Sequence, residues 1–403
     1  MEYRVIAGLF LLLLVGLADN QTIPALLPVL SSSLGTSVAV IGLLVVFYSL
    51  AAALAAFLSG VLSDYYGRRR FLLMGAWVFV LASGASSLSH SFSALAGARA
   101  ATGLAAGTLS TCSIAFAGDW FEYAVRGRAI GLISAAYFVA PLGVPVAGLI
   151  ADHFGWPRVF AAFALFALAV AVVASTLPRD RGAQPQGEAN PPSAEGKLRQ
   201  ALVTFQGLLG RRDTSAMLVI AFLVSGGLVS FLTYIGEWLH LTFGLSTTAI
   251  GLVFMLGGLV AVGGAPLGGM LSDRWGKRPV SIVSNVVLAA AMSVLPLFGW
   301  GAGLLVVFAG VSLSIGFRQG PITALMTEMV PRRQRGSFVA LRNIASQLGI
   351  GAAVFAGGLL YQWRGYFAVT LLSALMAAVV AILLTTHIAE PEAIAHGASD
   401  AEF

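Results

Sequence analysis

Three charged residues stand inside long apolar stretches of this chain, and they are the first candidates for chemistry: Asp19, Arg99 and Arg318. An ionised carboxylate is costly in apolar surroundings, so burial favours the protonated form of Asp19. A group that can change protonation inside a membrane suits the movement of protons. The alternative is that Asp19 only forms a hydrogen bond to a neighbouring helix.

The two arginines cannot lose their charge, so each needs an acceptor. Counting from the ends of their apolar runs places Arg99 and Asp19 at similar depth, in the outer half of the membrane. We expect the two to be close, directly or through water, with Arg99 helping to expel the proton from Asp19. The alternative is a permanent structural ion pair.

Arg318 is followed by Gln319, and no acidic residue lies at comparable depth in the second half of the chain. This pattern predicts a binding site for an anionic group, with Gln319 as a further polar ligand. The alternative is that Arg318 pairs with Asp19.

Weaker candidates are polar or aromatic residues that interrupt the apolar runs and could line a cavity. They are Asn20, Tyr48, Tyr137, Tyr234, Asn343 and Gln347. Any one of them is more often a contact between helices than a ligand. Glu237, beside Trp238, is predicted to be an interfacial anchor. The histidines are far apart in sequence, so no metal site is expected.

The elements that position these residues follow from composition. Of 403 residues, 58% are hydrophobic and 10% are charged, which indicates a membrane protein. Apolar runs of about 20 residues without strict alternation predict helices. The formal net charge of +6 is spread over short clusters, so no nucleic-acid partner is expected. The single cysteine, Cys112, excludes disulfides within the chain.

Twelve membrane-spanning segments are predicted. They are 5–30, 38–60, 71–89, 93–117, 128–150, 157–177, 214–238, 246–268, 280–299, 302–327, 336–360 and 365–386. Lysine and arginine are concentrated in one alternating set of connections, which should face the cytoplasm together with both termini.

A long connection divides the chain into two bundles of six helices, 1–177 and 214–387. Between them, 178–213 is predicted to be a cytoplasmic linker in which Leu198, Leu202, Phe205 and Leu209 form the apolar face of an amphipathic helix. An ordinary linker helix is the alternative. The tail, 388–403, is predicted to be disordered.

Two charged loops are related by a constant spacing. The segment from Gly60 to Arg70 returns 209 residues later, from Gly269, so that Asp64 corresponds to Asp273. The same spacing relates Asp119 to Glu328, in another pair of loops. The chain therefore contains two related halves, and repeats of this kind place a site between the halves near the middle of the membrane.

At this point the sequence resembles the major facilitator superfamily over nearly its whole length. The family's loop motif, Gly-x-Leu-small-Asp-basic-x-Gly-basic-basic, is complete from Gly269 to Arg278, and Tyr65 replaces one basic residue in the first copy. Arg99-Ala-Ala-Thr102-Gly103 is similar to the fourth-helix motif. Asp19 with Pro28 resembles the drug:proton antiporters. Residues 143–148 resemble a loosened antiporter motif, which is as similar to the related exporters of sugars and small metabolites as to multidrug exporters.

The resemblance implies a fold of two pseudo-symmetric six-helix bundles and a cytoplasmic latch built from the loops. Its residues would be Gly60, Asp64, Gly67, Arg68, Arg69, Arg70, Asp119, Gly269, Asp273, Gly276, Lys277, Arg278, Glu328 and Gly336. Asp64 would meet the helix end near Gly336, and Asp119 or Glu122 would pair with Arg69 or Arg70. Aspartates at the loops can also cap helix N-termini, and the loop glycines permit tight turns and close helix approach. The alternative is a plain positively charged loop.

For function, the resemblance implies a secondary transporter in the inner membrane, driven by proton exchange at Asp19 and Arg99 and exporting a small amphipathic metabolite or drug. Alternatives are a proton-linked importer or a facilitator of an anionic solute, and, in another class, a receptor or scaffold that transports nothing. No enzyme activity and no cofactor are expected. The expected partners are a small-molecule substrate and the lipid bilayer, with the protein as a monomer.

Overall fold

The computed structural model of the protein describes residues 2–178, 203, 205–330 and 335–388, and all regular structure in these ranges is helical. The helices are α1 (Glu2–Leu34), α2 (Val38–Tyr66), α3 (Arg68–Ser87), α4 (Phe92–Trp120), α5 (Tyr123–Ser134), α6 (Ala136–Val139), α7 (Val144–Phe154), α8 (Trp156–Ser175), α9 (Arg212–Phe243), α10 (Thr247–Trp275), α11 (Lys277–Val294), α12 (Ala302–Glu328), α13 (Arg335–Arg364) and α14 (Tyr366–Thr386). Short 3₁₀ turns cover Ala140–Gly143 and Leu295–Leu297.

Eleven helices in the described ranges are long and apolar enough to cross a membrane. The remaining predicted span, 128–150, is broken into α5, α6, the turn Ala140–Gly143 and α7. Pro141 lies within the turn and Pro145 at the start of α7. Proline lacks an N–H and clashes with the preceding helical turn, which explains the interruption. The all-helical multi-span fold is confirmed, with its fifth segment discontinuous.

The two related loops have the same backbone geometry. Gly67 and Gly276 take φ values of 97° and 91°, which favour glycine, and their N–H groups bond to Ser63 O and Ser272 O at 3.0 Å. They end α2 and α10 and start the next helices, so the predicted tight turns are confirmed.

Two details of the loop prediction are corrected. Asp64 and Asp273 lie within the ends of α2 and α10, and glycine is the N-cap residue of the helices that follow. A methyl group added at Gly60 would meet only Thr111 Cγ2, at 3.7 Å, and one at Gly269 would meet nothing within 4 Å. The first glycine of each motif is therefore not a point of close helix approach here.

Contacts divide the chain into two compact units. The first contains Met1–Leu202, Val229–Met255 and Ile350–Val369, and the second contains Val203–Leu228, Leu256–Gly349 and Thr370–Phe403. Parts of α9, α10 and α13 thus cluster with the N-terminal helices, whereas the predicted bundles follow the order of the chain.

The predicted amphipathic helix and tail fall mostly outside the described residues. Leu198, Leu202 and the tail from 389 are among the residues that are not described. Residues 205–209 are helical, with Phe205 and Leu208 buried and Leu209 exposed. A lipid-binding role for this segment remains a prediction.

The first unit has an apolar core to which α1, α3, α4 and α8 contribute. Glycine brings α4 against α2: a methyl group at Gly103 would meet Tyr48 O at 2.2 Å, and one at Gly107 would meet Ala52 O at 2.3 Å. Both glycines are therefore close-packing positions, and the contact fixes α4, which carries Arg99.

Candidate functional site

Asp19 and Arg99 form a buried ion pair within the first unit. Arg99 Nη1 donates to Asp19 Oδ2 at 2.6 Å, and the two side chains are 1% and 0% exposed. Asp19 comes from α1 and Arg99 from α4, which pack against each other. The predicted proximity of these residues is confirmed.

Three polar atoms of this pair remain without a partner. Among the described residues, nothing bonds to Asp19 Oδ1, Arg99 Nε or Arg99 Nη2. Buried polar atoms are nearly always satisfied, so such a cluster is unusual. Because Asp19 Oδ2 holds the arginine, Oδ1 can take a proton while the contact with Arg99 persists.

Aromatic rings hold the guanidinium in place. Arg99 Cζ lies 5.0 Å from the centroid of the Tyr48 ring and 5.7 Å from that of Phe160. The Tyr48 hydroxyl donates to Gly16 O at 3.4 Å, which ties α2 to α1. Cation–π contacts stabilise an arginine that has only one carboxylate oxygen as acceptor.

An apolar cavity of about 390 Å³ lies in the first unit. It is lined by residues of α1, the broken fifth segment and α8, including Ala18, which precedes Asp19, and Val159, which precedes Phe160. Its walls offer contact to an apolar group and no charge.

Arg318 is the second buried cation, and its partners lie in the second unit. Nη1 donates to Asn285 Oδ1 at 2.8 Å and Nη2 to Val224 O at 3.3 Å, while Nε has no partner among the described residues. The side chain is 2% exposed. Arg318 and Asp19 each have a partner in their own unit. The alternative pair between them stays a prediction.

The weaker candidates occupy different environments. Asn20, Asn343 and Gln347 are half-buried, whereas Tyr137 and Gln319 are exposed. Tyr234 is fully buried and donates to Val354 O at 2.8 Å, so it joins α9 to α13.

The charged loop is bonded differently from the prediction. Asp119 pairs with Arg68 and not with Arg69 or Arg70. Arg70 is exposed, and the side chains of Asp64 and Glu328 are outside the described part of the chain. A latch between Asp64 and the region of Gly336 therefore remains a prediction.

Each loop instead carries a guanidinium clamp, by which we mean Arg69 or Arg278 bound to a helix end. Arg69 donates to Leu177 O at 2.8 Å and Ser175 O at 2.6 Å. Arg278 donates to Leu384 O at 2.8 Å and Thr385 O at 2.5 Å. The two clamps join α3 to the end of α8 and α11 to the end of α14. Because the acceptors are backbone carbonyls, they leave no motif in the sequence, and the clamps could not be predicted from it.

A further set of contacts, which we call the outer closure, lies in the first unit on the side predicted to face outward. It joins Ser37 to Gln362 and Asp152 to the start of α10. Gln362 Nε2 donates to Ser37 Oγ at 2.6 Å. Asp152 Oδ1 accepts from Thr247 N at 3.1 Å, and Oδ2 accepts from Thr248 N at 2.8 Å and Thr248 Oγ1 at 2.6 Å.

The Asp152 contact places a negative charge at the N-terminus of α10, where unsatisfied N–H groups favour it. Partial burial opposes ionisation of this carboxyl, but the hydrogen bonds from Thr248 and Thr247 outweigh it and lower its pKa. Glycines allow the approach: a methyl group at Gly148 would meet Thr247 O at 2.6 Å, and one at Gly251 would meet Pro145 Cα at 2.7 Å.

These features define a class, the polytopic α-helical membrane proteins with a buried ion pair and helices that meet through glycines. The family model for the Major Facilitator Superfamily matches residues 9–323 and 217–401. The chain belongs to that superfamily of transporters.

Three relatives from curated proteins illustrate the range of the family. The uncharacterized MFS-type transporter YceJ of Bacillus subtilis is 26% identical, over 87% of each chain. The hexuronate transporter of Bacillus subtilis is 28% identical, over 78% of this chain and 76% of its own. The multidrug efflux pump LfrA of Mycolicibacterium smegmatis is 26% identical, over 82% of this chain and 75% of its own.

Among solved structures, a D-xylose-proton symporter superposes with a TM-score of 0.78 at 17% identity. The match covers 96% of this chain and 98% of the symporter. At this identity the likeness supports the fold.

Proposed function

We propose that this protein is a proton-coupled secondary transporter that works by alternating access and exports a small amphipathic metabolite or drug. Asp19 carries the proton, and Arg99 tunes its release. The energy source is the proton gradient, and the protein acts as a monomer in the inner membrane with both termini in the cytoplasm. The single observation that carries the proposal is the buried Asp19–Arg99 pair with its unused carboxylate oxygen.

The physical argument is that a buried carboxylate with one arginine contact has two accessible protonation states. When ionised, it neutralises Arg99; when protonated at Oδ1, it leaves Arg99 with a net positive charge in an apolar site. The protonated state therefore favours any rearrangement that hydrates Arg99 or gives it another anion. This coupling between protonation and conformation is what a proton-driven carrier requires.

Export of an amphipathic compound is supported by the apolar cavity lined by Ala18 and Val159, which can accept an apolar group. Similarity to an efflux pump is consistent with this direction. The alternative function, a proton-linked importer or facilitator of an anionic solute, is supported by Arg318, whose described partners are an amide and a carbonyl. Similarity to a hexuronate transporter favours it equally.

The test is the Asp19→Asn variant in proteoliposomes under an imposed pH gradient, against a panel of drugs and metabolites. We expect a loss of uphill transport of at least about 100-fold, because the amide cannot exchange a proton, while downhill exchange of the same substrate persists. Undiminished uphill transport by this variant would contradict proton coupling at Asp19.

The variant leaves Arg99 buried without its anion, which costs about 3–5 kcal/mol when one partner of a buried pair is removed. Thermal unfolding in detergent must therefore accompany the assay. The double variant Asp19→Asn with Arg99→Gln removes the buried charge, should recover stability, and should still lack uphill transport. Asp213→Asn is the matched control, because Asp213 is a partly exposed carboxylate at the start of α9 that belongs neither to the pair nor to the outer closure.

A further inference from the structure

One buried carboxylate in the described chain has no role in the mechanism above. Glu237, on α9, is 5% exposed, and its Oε2 makes no hydrogen bond to any described residue. The sequence predicts an interfacial anchor at this position, but the side chain is enclosed by protein. An ionised carboxylate buried without a donor is strongly disfavoured, so the neutral acid is the stable form in this conformation.

Glu237 lies where helices from both ends of the sequence meet. A methyl group added at the preceding residue, Gly236, would meet the Pro24 carbonyl oxygen of α1 at 2.3 Å. One turn earlier, Tyr234 Oη lies so close to α2 that a methyl group at Gly42 would meet it at 2.2 Å. The Tyr234 ring packs against Tyr361 of α13 with centroids 5.6 Å apart. These contacts belong to the same side of the first unit as the outer closure.

The ionisable groups that act on Glu237 are few. They are His240, one turn later on α9, and Tyr361 on α13. The residues that face the glutamate's neighbour Gly236 from α1 and α10, Pro24 and Ile250, cannot ionise. His240 is exposed, and its Nδ1 lies 2.8 Å from Leu245 O, so it does not bond to the glutamate. None of the ion pairs among the described residues includes Glu237.

We propose that Glu237 is a second proton-binding site of this transporter, protonated while the outer closure is formed and ionised when it opens. Separation of α1 from α9 admits water to the carboxyl, and water removes the penalty against its charge. Closing from the open state then requires one proton taken from the outer side. This inference rests on the proposed alternating access, but it concerns an equilibrium that is measurable without transport.

The experiment measures the distance across the outer closure by pulsed electron paramagnetic resonance. Spin labels are placed at Ser33 and Leu241, exposed positions near the ends of α1 and α9, after Cys112→Ala removes the single native cysteine. We call the spin-labelled protein without further substitutions the unsubstituted reporter. Its open-to-closed ratio should rise between about pH 5 and pH 8, by up to about tenfold per pH unit for one linked proton. Glu237→Gln, a neutral isostere, should stay closed over that range.

Two controls identify the responsible group. His240→Gln should retain the pH response, because the histidine is exposed and not bonded to the glutamate. Asp152→Asn should change the open-to-closed ratio by the same factor at all these pH values. Because the pKa of Asp152 is lowered, its carboxylate stabilises the outer closure above about pH 4, and this stabilisation is lost only as the pH falls further.

The outcomes separate the possibilities. A pH response that survives in Glu237→Gln, or that disappears in His240→Gln alone, overturns the proposal, as does an unsubstituted reporter with no pH response. If Glu237→Gln abolishes the response while Asp19→Asn retains it, the second site stands independently of proton coupling at Asp19. A failed transport assay therefore does not decide this inference.

Discussion

At the scale of single residues, the membrane interior makes each buried charge informative. Asp19, Arg99, Arg318 and Glu237 are all at most 5% exposed, and each leaves at least one polar atom without a partner among the described residues. Leaving a buried donor or acceptor unpaired costs about 1–3 kcal/mol, and more for a charged group. Groups kept at such a cost are candidates to meet substrate, water or protons in another state of the protein.

Arg318 allows a test at this scale. If it binds an anionic group of the substrate, Arg318→Gln should raise the KM for anionic compounds about 10- to 100-fold, because a hydrogen bond to a charged group contributes roughly 1.5–3 kcal/mol. Arg318→Lys should recover part of the affinity, since it keeps the charge and loses the planar fork.

The Arg318 measurement is uptake or efflux of matched anionic and neutral compounds in proteoliposomes. Asn285→Ala serves as a comparison, because it removes the amide partner of Arg318 and keeps the cation. Equal losses for anionic and neutral compounds would assign Arg318 to folding and contradict the anion site.

The pair of Asp19 and Arg99 could be predicted from sequence because charge is rare in apolar runs and each charge needs a counterpart at similar depth. The environment of Glu237 could not be predicted in this way. A glutamate near a helix end has the same local sequence whether it faces the interface or is buried within the protein, and only the packing of distant segments decides. The same reason hides the burial of Tyr234, whose partner Val354 is an ordinary apolar residue.

At the scale of elements, the broken fifth segment and α10 form the part of the outer closure with the closest backbone approach. Gly148 of α7 faces the Thr247 carbonyl, and Gly251 of α10 faces Pro145. The prolines that interrupt the segment therefore also shape its contact surface. The partner of this segment could not be predicted from the sequence, since glycine contacts leave no pattern in a single chain.

A methyl group is enough to test this contact. Gly148→Ala should wedge α7 from α10, because the new Cβ would lie 2.6 Å from Thr247 O, and the outer closure should open. Gly131→Ala, in α5 of the same segment, is the matched control, because its Cβ would meet nothing within 4 Å. The measurement is the Ser33–Leu241 spin-label distance. Indistinguishable distance distributions for the two variants would contradict this role.

At the scale of the whole molecule, transport by alternating access requires the outer closure to break in every cycle. The bond between Ser37 and Gln362 joins residues 325 positions apart, so it is a suitable place to hold the closure shut. The fold class follows from composition and hydropathy alone. The grouping of helix ends into two compact units does not, because it depends on contacts between helices that are distant in the sequence.

We predict that joining these two positions stops transport. A Ser37→Cys, Gln362→Cys variant on the Cys112→Ala background, treated with a short bifunctional thiol reagent that has a reducible bridge, should lose at least about nine-tenths of its activity and regain it on reduction. Each single cysteine variant, treated in the same way, should stay active. Full activity of the bridged protein would show that this closure need not open.

The guanidinium clamps have a consequence for how such a chain can evolve. Arg69 and Arg278 hold backbone carbonyls, and every amino acid offers the same carbonyl. The spacing of 209 residues aligns Ser175 with Leu384, two different residue types, yet the backbone carbonyl of each accepts from a clamp. After a duplication, the helix ends that accept these hydrogen bonds can therefore diverge in sequence while the clamp persists. The relation between the two halves then remains visible in the geometry after the sequence similarity has been lost.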